Sequence, residues 1–256
     1  MKLKMIQINI YRGKFLDKLV DFLLAEKPDV VTMQEVSGGK VNFWHDKEVD
    51  TFEYLKDALG MDGIIVPIYR LVGDPVSYEG NAVLVRGKNI DINTVWFKAY
   101  QEYAQVPWEK EGPEMSRNVL DAIVDFGGTP IHVLATHGAW TKDPVDTSEK
   151  VRQAKMLADY IVSLGNEPFI LGGDFNMEPG SEVIRTIDAV ARNAVYGSGI
   201  KNTINLRTHR AAKIFGNGKL VDFIYTSPHF RVERIDAPEV DVSDHLPVRA
   251  ALELKV

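Results

Sequence analysis

Hydrophobic and polar residues alternate near the start of the chain, and this period of two predicts a β-strand at residues 3–10. Apolar residues then recur three and four positions apart over residues 15–26, which is typical of an amphipathic helix that ends before Pro28. A second strand pattern follows at residues 29–36. A strand, a helix and a strand in close succession indicate helices that are layered against a sheet.

The same two periods continue along the chain and predict an α+β fold. The loop at residues 126–130, with two glycines and a proline, is a strong hairpin signal, whereas residues 192–218 are polar and irregular. The further predicted helices cover residues 52–59, 148–164 and 181–191. The further predicted strands cover residues 64–71, 81–86, 90–97, 117–125, 131–137, 169–171, 220–226, 230–235 and 246–254.

Composition limits the class of protein. With 256 residues, 45% of them hydrophobic, the chain is expected to form one large domain over residues 1–256. The formal net charge of −6, without a long basic run, argues against a large electrostatic contribution to duplex DNA binding. It does not exclude a phosphate substrate, because a bound divalent cation can supply local positive charge. The absence of cysteine excludes disulfides, thiolate metal sites and a cysteine nucleophile.

The N-terminal segment lacks the apolar core and cleavage site of a signal peptide, and we find no stretch long enough to span a bilayer. We therefore expect a cytoplasmic protein with no membrane span, and we expect it to be a monomer.

The segment around Asp174 is the most informative stretch of the chain. A short apolar strand is ended by Gly172 and Gly173, and Asp174 and Asn176 follow two residues apart. Alternate residues of an extended chain share a face, so the carboxylate and the amide can together orient a water beside a bound anion. The glycine pair lets the backbone approach a neighbour or a ligand. An ordinary Asx turn explains the same residues equally well, so partner motifs must decide.

Polar groups with metal or phosphate chemistry recur at the ends of other predicted strands. Taken singly, each is as typical of a turn or a solvated strand end. An aspartate within an apolar strand is harder to dismiss, because it needs a partner or a cation. If the strand ends converge, an oxygen-rich set can bind a hard cation while two histidines donate to phosphate. The residues concerned are Asn9, Glu35, His137, Asp222, Asp244 and His245.

Eight short motifs resemble those of the endonuclease/exonuclease/phosphatase superfamily, which has the DNase I-like fold. They lie in family order between residues 6 and 246 and read QINI, MQEV, GNAVL, SRNVL, ATHG, GGDFN, VDFIY and SDH. The resemblance implies a four-layer α/β/β/α sandwich, in which two mixed, mostly antiparallel sheets pack face to face with helices outside.

The resemblance also implies a metal centre. Glu35 corresponds to the principal magnesium ligand of the family, Asn9 would assist through the metal or the phosphate, and Asp244 would lie close to the ion. Oxygen ligands with retained waters suit Mg²⁺ better than Zn²⁺, and Mn²⁺ is the expected substitute.

The remaining matched residues imply the machinery for attack of water on phosphorus. Asp174 would orient or deprotonate the attacking water, and Asn176 would hold that water or a phosphate oxygen. His137 and His245 would face the phosphate, and Asp222 would orient His245. The cation and the histidines would offset the negative charge that builds on the oxygens.

Two further residues are implied less directly. Arg117 begins a strand after a loop that contains a Gly-Pro pair, as a phosphate-contacting arginine does in some branches of the superfamily. Glu79 lies where DNase-like members keep a carboxylate that orients the first histidine, here His137.

These features predict a Mg²⁺-dependent phosphoesterase, most simply a phosphodiesterase that acts on nucleic acid, including single-stranded or end-frayed ends. The alternative is a phospholipid or small phosphate-ester hydrolase, and a catalytically silent binding module is the third hypothesis. The motif at Gln34-Glu35-Val36 departs from the QET ending of apurinic endonucleases. It is more similar to the branch with tyrosyl-DNA phosphodiesterases, sphingomyelinases and uncharacterised bacterial hydrolases.

Two surfaces would separate these alternatives. A nucleic-acid enzyme predicts that Arg12, Lys14 and Arg117 line a basic groove, whereas a lipid or small-ester hydrolase predicts an aromatic rim. Aromatic residues are frequent at residues 96–108 and occur at Phe43, Trp44 and Trp140. They could form a wall on which bases, sugars or lipid tails stack, or pack as ordinary loop residues.

Overall fold

The structure is a computed structural model that describes residues 1–39, 49–71, 74–98, 101–103 and 115–255. The strands within these ranges are β1 (Lys2–Asn9), β2 (Val30–Gly38), β3 (Asp62–Leu71), β4 (Asp74–Val85), β5 (Lys88–Lys98), β6 (Gln101–Tyr103), β7 (Arg117–Asp125), β8 (Pro130–His137), β9 (Phe169–Asp174), β10 (Arg192–Asn193), β11 (Asp222–Thr226), β12 (Phe230–Asp236) and β13 (Val248–Leu254). The α-helices are α1 (Leu16–Glu26), α2 (Thr51–Leu59), α3 (Ser148–Ser163), α4 (Glu182–Asp188) and α5 (Ala212–Phe215).

The described strands form two mixed sheets. One has the order β12-β13-β1-β2-β4-β3-β6 and the other has the order β10-β11-β9-β8-β7-β5. The pairs β1–β2, β3–β6 and β8–β9 are parallel, and the other named pairs are antiparallel. The predicted pair of mixed, mostly antiparallel sheets is therefore confirmed.

The alternation seen in the first strand sets the layers of the fold. Leu3 and Met5 on β1 belong to the core cluster that includes both sheets and α3. Ile6 and Ile8, on the other face, pack with apolar residues of α1 and α2. Each such buried side chain contributes about 1.5–3 kcal/mol relative to an exposed one. Because β1 is covered on both faces, apolar residues occur on both of its faces.

The glycine pair on β9 serves the contact between the sheets. A Cβ atom at Gly172 would collide with the hydroxyl of Thr32 and would approach the amide oxygen of Gln7 at 2.8 Å. Both of these side chains are buried and belong to the opposite sheet, where Thr32 Oγ1 donates to Gln7 Oε1 at 2.8 Å. Gly172 therefore lets β9 pack closely against strands of the opposite sheet.

Several strands run further than the sequence predicts. Strand β9 continues through Gly172 and Gly173 to Asp174, so the expectation that the glycine pair ends it is wrong. Strand β2 continues past Glu35 to Gly38 through an irregularity in its pairing with β4.

Strand β4 begins at Asp74, where its backbone pairs with β3. The side chains that it buries before Ala82 include the polar Ser77, Glu79 and Asn81, so burial there leaves no apolar signal. The irregular region at residues 192–218 contains only the two-residue β10 and the short α5 among regular strands and helices.

Within the described residues, no helix combines the length and the apolar character that crossing a membrane requires.

Candidate active site

The polar strand-end residues of the two sheets lie along one cleft. Asn9 ends β1, while His137 and Asp174 end the neighbouring parallel strands β8 and β9. Asp222 begins β11 and pairs directly with Asp174 across an antiparallel ladder. Parallel strands end at the same edge of a sheet, and an antiparallel neighbour begins there. This register brings residues that are far apart in sequence to a common place.

Backbone strain is concentrated at this cleft. Five non-glycine residues of the described chain have φ in the left-handed region, and four of them line the cleft: Tyr11 at 50°, Arg12 at 55°, Glu35 at 53° and Asn176 at 51°. The fifth, Lys27, is the C-cap of α1. Such conformations cost on the order of 1–3 kcal/mol each and are typical of functional sites, where surrounding structure holds them.

Glu35 is directed into the cleft by the irregularity in β2. Strict alternation would point its side chain toward the helices, together with Val31 and Met33. The register shift between Met33 and Val36 and the positive φ of Glu35 break that alternation. Its Oε1 instead accepts a hydrogen bond from Asn9 Nδ2 at 3.2 Å. A bulge that re-aims one side chain is a common feature beside active sites.

Asp174 is the centre of the cluster. Its Oδ2 accepts a hydrogen bond from Asn9 Nδ2 at 3.1 Å, and its Oδ1 accepts one from the backbone N–H of Asn176 at 2.9 Å. The Nε2 atoms of His137 and His245 lie 3.5 and 3.8 Å from Oδ2. Burial raises the pKa of Asp174 to about 6, although the neighbouring His245 opposes the shift.

His245 is held by a second carboxylate. Its Nδ1 lies 2.8 Å from Asp222 Oδ2, and both side chains are buried. Asp222 Oδ1 also accepts a hydrogen bond from Gln7 Nε2 at 3.3 Å, which links it to the polar contacts between the sheets. Burial alone would lower the pKa of His245, but Asp222 and Asp174 outweigh it and raise that pKa well above the ordinary value. The two carboxylates therefore favour the protonated, positively charged form of His245.

His137 has the opposite environment. It is buried, and among the described residues its Nδ1 has no hydrogen-bond partner. Burial, together with the nearby positive charges of Arg117 and His245, holds the pKa of His137 well below its ordinary value. The imidazole is therefore neutral at pH 7 and can donate or accept a single hydrogen bond through the nitrogen that faces the cleft.

An acidic pair stands beside this centre. Asp244 lines the same cleft as Glu35, and Ser243 Oγ donates to the backbone carbonyl of Asn9 at 2.6 Å, which ties the Asp244 loop to the end of β1. Burial raises the pKa of Asp244 to about 7, and the charges of Glu35 and Asp174 add to the increase. Mutual repulsion among oxygen ligands in a cleft is the environment that a divalent cation relieves. The donor set therefore fits a hard metal ion.

Asn9 contributes to this set through its N–H group. Its Oδ1 accepts the backbone N–H of Tyr11 at 3.0 Å, while its Nδ2 donates to both Glu35 and Asp174. This orientation makes Asn9 a bridge between the carboxylates of Glu35 and Asp174, whereas Glu35 and Asp244 are the predicted metal ligands that line the cleft with carboxylate oxygens.

Glu79 has partners other than the expected histidine. Its Oε2 accepts hydrogen bonds from Tyr69 OH at 2.6 Å and from Arg12 Nε. The contact between Arg12 and Glu79 is an ion pair, and both side chains are at most 10% exposed. Since Nδ1 of His137 has no partner among the described residues, the structure gives Glu79 a different contact from the orienting one that the resemblance implied.

Arg117 lies on the floor of the cleft and is fully buried. Its Nε donates to the carbonyl of Gly138 at 3.1 Å, and its Nη1 donates to the carbonyl of Ser116 at 3.3 Å. Within the described chain these partners are neutral carbonyls, so the guanidinium adds positive charge to the cleft floor. Arg117 therefore lines the same cleft as most of the other predicted site residues.

His209 is a cleft residue that the sequence does not single out. Its Nδ1 accepts the backbone N–H of Ala211 at 3.0 Å, so a proton on the neutral ring resides on Nε2, which lies 3.7 Å from Asp244 Oδ2. Its ring packs against Phe215 and His245, with centroids 5.1 and 6.1 Å away. Burial lowers its pKa to about 4. It lies in an irregular polar segment, which carries no periodic signal.

The rim of the cleft combines apolar and basic side chains. Trp140 and Phe215 line it, together with Ile214, whose side chain is 72% exposed. Lys142 and Lys219 also line it. Part of the aromatic segment predicted as a wall (99–100 and 104–108), together with Phe43 and Trp44, lies outside the described residues.

Of the three basic residues predicted to line a groove, Arg12 and Arg117 line the cleft. Lys14 lies over the rings of Tyr11 and Phe15, 5.0 and 5.8 Å from their centroids.

The chain matches a known protein family over nearly its whole length. The profile of the Endonuclease/Exonuclease/phosphatase family matches residues 6–245. A search of curated proteins found no match.

Solved structures with the same fold cover almost the whole chain. An endonuclease/exonuclease/phosphatase from Bacteroides vulgatus is 22% identical, with a TM-score of 0.75 and 100% of each chain covered. A mannosyl-6-phosphatase from Bacteroides thetaiotaomicron is 18% identical, with a TM-score of 0.73 over 98% of this chain and 100% of that one. D. rerio TDP2 complexed with single-strand DNA product is 18% identical, with a TM-score of 0.68 over 98% and 99%. Likeness at this identity shows the fold alone.

Proposed function

The chain belongs to the Endonuclease/Exonuclease/phosphatase family, and we propose from its cleft that it is a Mg²⁺-dependent phosphodiesterase acting on nucleic acid or on nucleic-acid ends. The observation that carries the proposal is the position of Asp174, a buried carboxylate with a charged histidine on one side and a neutral histidine on the other. A water and a phosphoryl group placed among these side chains would meet a base and two hydrogen-bond donors.

Asp174 is the group that orients the attacking water and accepts its proton. A pKa near 6 makes it a stronger base than an ordinary aspartate while it stays largely ionised at neutral pH. The hydrogen bonds from Asn9 and Asn176 fix its carboxylate, so that it faces a constant direction. The side chain of Asn176 donates to the carbonyl of Gly138 at 3.1 Å, which fixes the turn on which Asn176 sits.

The two histidines have different tasks. His245, charged because of Asp222, stabilises negative charge on the phosphoryl oxygens as it builds during attack. His137, neutral and buried, supplies a hydrogen bond without a full charge. Arg117 adds a buried positive charge behind them.

Glu35 and Asp244 are the residues that would hold the metal ion, with Asn9 orienting Glu35 through its amide. When bound, Mg²⁺ supplies Lewis-acid stabilisation of a phosphate oxygen. The chain's own contribution is to fix these two carboxylates at the edge where the phosphate of the substrate lies.

The rim supports an ester with an apolar or aromatic group beside its phosphate. Trp140 and Phe215 offer ring surfaces, on which a base can stack, and Lys142 can contact a second phosphate. Lys219 also lines the rim, but its Nζ is paired with Glu178 Oε2 at 2.6 Å. The exposed Ile214 favours the second candidate, a phospholipid or small phosphate-ester hydrolase, because an apolar chain could lie on it.

The test is a substrate panel with the purified protein in Mg²⁺ or in EDTA. It contains bis-p-nitrophenyl phosphate, p-nitrophenyl phosphate, a single-stranded oligonucleotide, lysophosphatidylcholine and an inositol phosphate. The proposal expects Mg²⁺-dependent cleavage of the diester and the oligonucleotide. Cleavage of the lipid or inositol phosphate alone would select the second candidate. No turnover of any substrate would select the binding module.

A further inference from the structure

Lys150 is a buried lysine behind the cleft. It is the third residue of α3, and only 3% of its surface is exposed. Among the described residues, no carboxylate oxygen lies within ion-pair distance of its Nζ, whose hydrogen-bond partners are neutral. The first turn of a helix is also where the helix dipole disfavours a cation. The position is therefore costly for the folded state, and packing alone does not explain it.

All partners of this ammonium belong to two loops of the cleft. Nζ donates to Thr141 Oγ1 at 2.7 Å and to the backbone carbonyl of Asn176 at 3.3 Å, and it lies 3.2 Å from Met177 Sδ. Thr141 follows β8, the strand that ends at His137, and Asn176 follows β9, the strand that ends at Asp174. One side chain thus joins the loops that leave both strand ends.

The contact with Asn176 acts on the proposed base. The N–H of Asn176 donates to Asp174 Oδ1 at 2.9 Å, and the carbonyl of Asn176 accepts from Lys150. Asn176 has a φ of 51°, a left-handed conformation that costs free energy and persists only when the surrounding structure holds it. Lys150 holds one of the two peptide groups of Asn176, and Asp174 holds the other.

The two loops leave little room for adjustment. The N–H of Gly138 donates to the carbonyl of Asp174 at 2.8 Å, and a Cβ at Gly138 would lie 2.5 Å from the carbonyl oxygen of Phe175. Lys150, on α3, contacts both of these loops through its Nζ. A shift of about 1 Å at a reacting group can lower a rate about 100-fold.

The pKa of Lys150 is consistent with the cost of burying its charge. Burial lowers the pKa of Lys150 to about 8, and the charged groups that oppose the shift are Asp174 and Asp146. The ammonium therefore remains mostly charged at neutral pH, and its field reaches the proposed base.

We propose that Lys150 is a positioning residue for phosphate-ester hydrolysis, which from behind the cleft fixes the carbonyl of Asn176 and the hydroxyl of Thr141 and so holds Asp174 in its working orientation. The inference rests on the proposed hydrolase function. It assigns Lys150 no contact with the substrate.

The first test compares Lys150→Met with Lys155→Met in the hydrolysis assay. Met has a similar length without the charge, and Lys155 is a lysine of the same helix whose side chain is 73% exposed. Lys150→Met should lower kcat at least about 10-fold, with KM within about 3-fold of wild type and with an unchanged or higher Tm, because a costly buried charge is removed. Lys155→Met should match wild type in all three.

The second test restores the charge chemically. Because the natural chain has no cysteine, Lys150→Cys can be alkylated at a single site. Bromoethylamine in mild denaturant, followed by refolding, rebuilds an ammonium at nearly the length of lysine, whereas iodoacetamide gives a neutral side chain. The aminoethylated protein should recover at least about half of wild-type kcat, and the carboxamidomethylated protein should remain as slow as Lys150→Met.

The outcomes separate the two proposals. A wild-type protein without turnover refutes the hydrolase function itself. An active wild type, with Lys150→Met within 2-fold of its kcat, or with the two alkylated forms equal, overturns the role of Lys150. Should Lys150→Met fail to fold, the two alkylated forms decide in the same way.

Discussion

His245 and His137 lie 3.8 and 3.5 Å from the same oxygen of Asp174, yet the rest of their surroundings differ. His245 has Asp222 at 2.8 Å on its far nitrogen, whereas the far nitrogen of His137 has no partner within the described chain. Their pKa values consequently move in opposite directions, up for His245 and down for His137. The residue type therefore does not set the role, because a second carboxylate decides which imidazole is charged.

The largest effect is expected from the group that the two histidines share. Asp174→Asn should lower kcat about 10³–10⁴-fold, because it removes the base and the charge that both imidazoles face. The fold should persist, since asparagine fills the same space. Steady-state kinetics with the diester, beside a thermal melt, measure both quantities. Activity within 10-fold of wild type would remove Asp174 from its role.

The charged side of the comparison is tested through Asp222. Asp222→Asn should lower kcat about 100-fold, because His245 loses the carboxylate that orients it and raises its pKa. His245→Gln should have a similar effect. The double variant should be little worse than either single one, since the two residues act as a unit. Additive losses would show that Asp222 acts by another route.

Substitution of the neutral histidine, His137, should lower activity less. His137→Gln should lower kcat only about 10-fold, because an uncharged amide can replace one hydrogen bond of a neutral imidazole. The difference from His245→Gln, measured in the same assay, sharpens the comparison directly. Equal losses for the two glutamine variants would contradict the division of roles.

The smallest effect on activity is expected at a third histidine, at the opposite end of the strand that carries His137. His132 Nδ1 lies 2.7 Å from Asp121 Oδ2, and this hydrogen bond raises the pKa of His132. A folded pKa above the unfolded value stabilises the fold below pH 6.5 and loses that contribution as the pH rises through the folded pKa. His132→Leu should therefore cost about 1–3 kcal/mol near pH 6, less at pH 8.5, and leave kcat unchanged.

Urea unfolding at both pH values measures this stability difference. A loss of stability that does not depend on pH would show that His132 contributes by packing and not by its charge.

Sequence patterns predicted much of the fold because burial imposes its period on the chain. The helical spacing in α1 follows directly from the sheet that it covers, and the apolar residues of β1 pack against apolar partners on both of its faces. Where the buried residues are polar, as Ser77 and Glu79 are in the first half of β4, burial leaves no hydrophobic pattern and that part of the strand is not predicted.

The site residues also divide into those that sequence patterns predict and those that only the structure shows. The motif around Asp174 was predicted only in part. Asp174 lies at the end of β9, as expected, but Asn176 lies beyond the strand with a left-handed φ of 51°, and its N–H donates to Asp174 Oδ1, as in an Asx turn. The direction of Glu35 depends on a bulge, whose position no residue spacing announces. His209 and Lys150 are visible only in three dimensions, since one lies in an irregular loop and the other resembles any lysine on an amphipathic helix. Their environments, and not their neighbours in sequence, distinguish them.

The central claim is that side chains from both sheets meet at one edge to hold a cation and a phosphoryl group. The most direct measurement is an anomalous difference map from a crystal soaked with Mn²⁺ and inorganic phosphate. The account predicts an anomalous peak about 2.0–2.3 Å from a carboxylate oxygen of Glu35, a phosphate between His137 and His245, and loss of the peak in Glu35→Gln. A peak elsewhere on the protein, with the cleft around Asp174 holding neither ion, would contradict it.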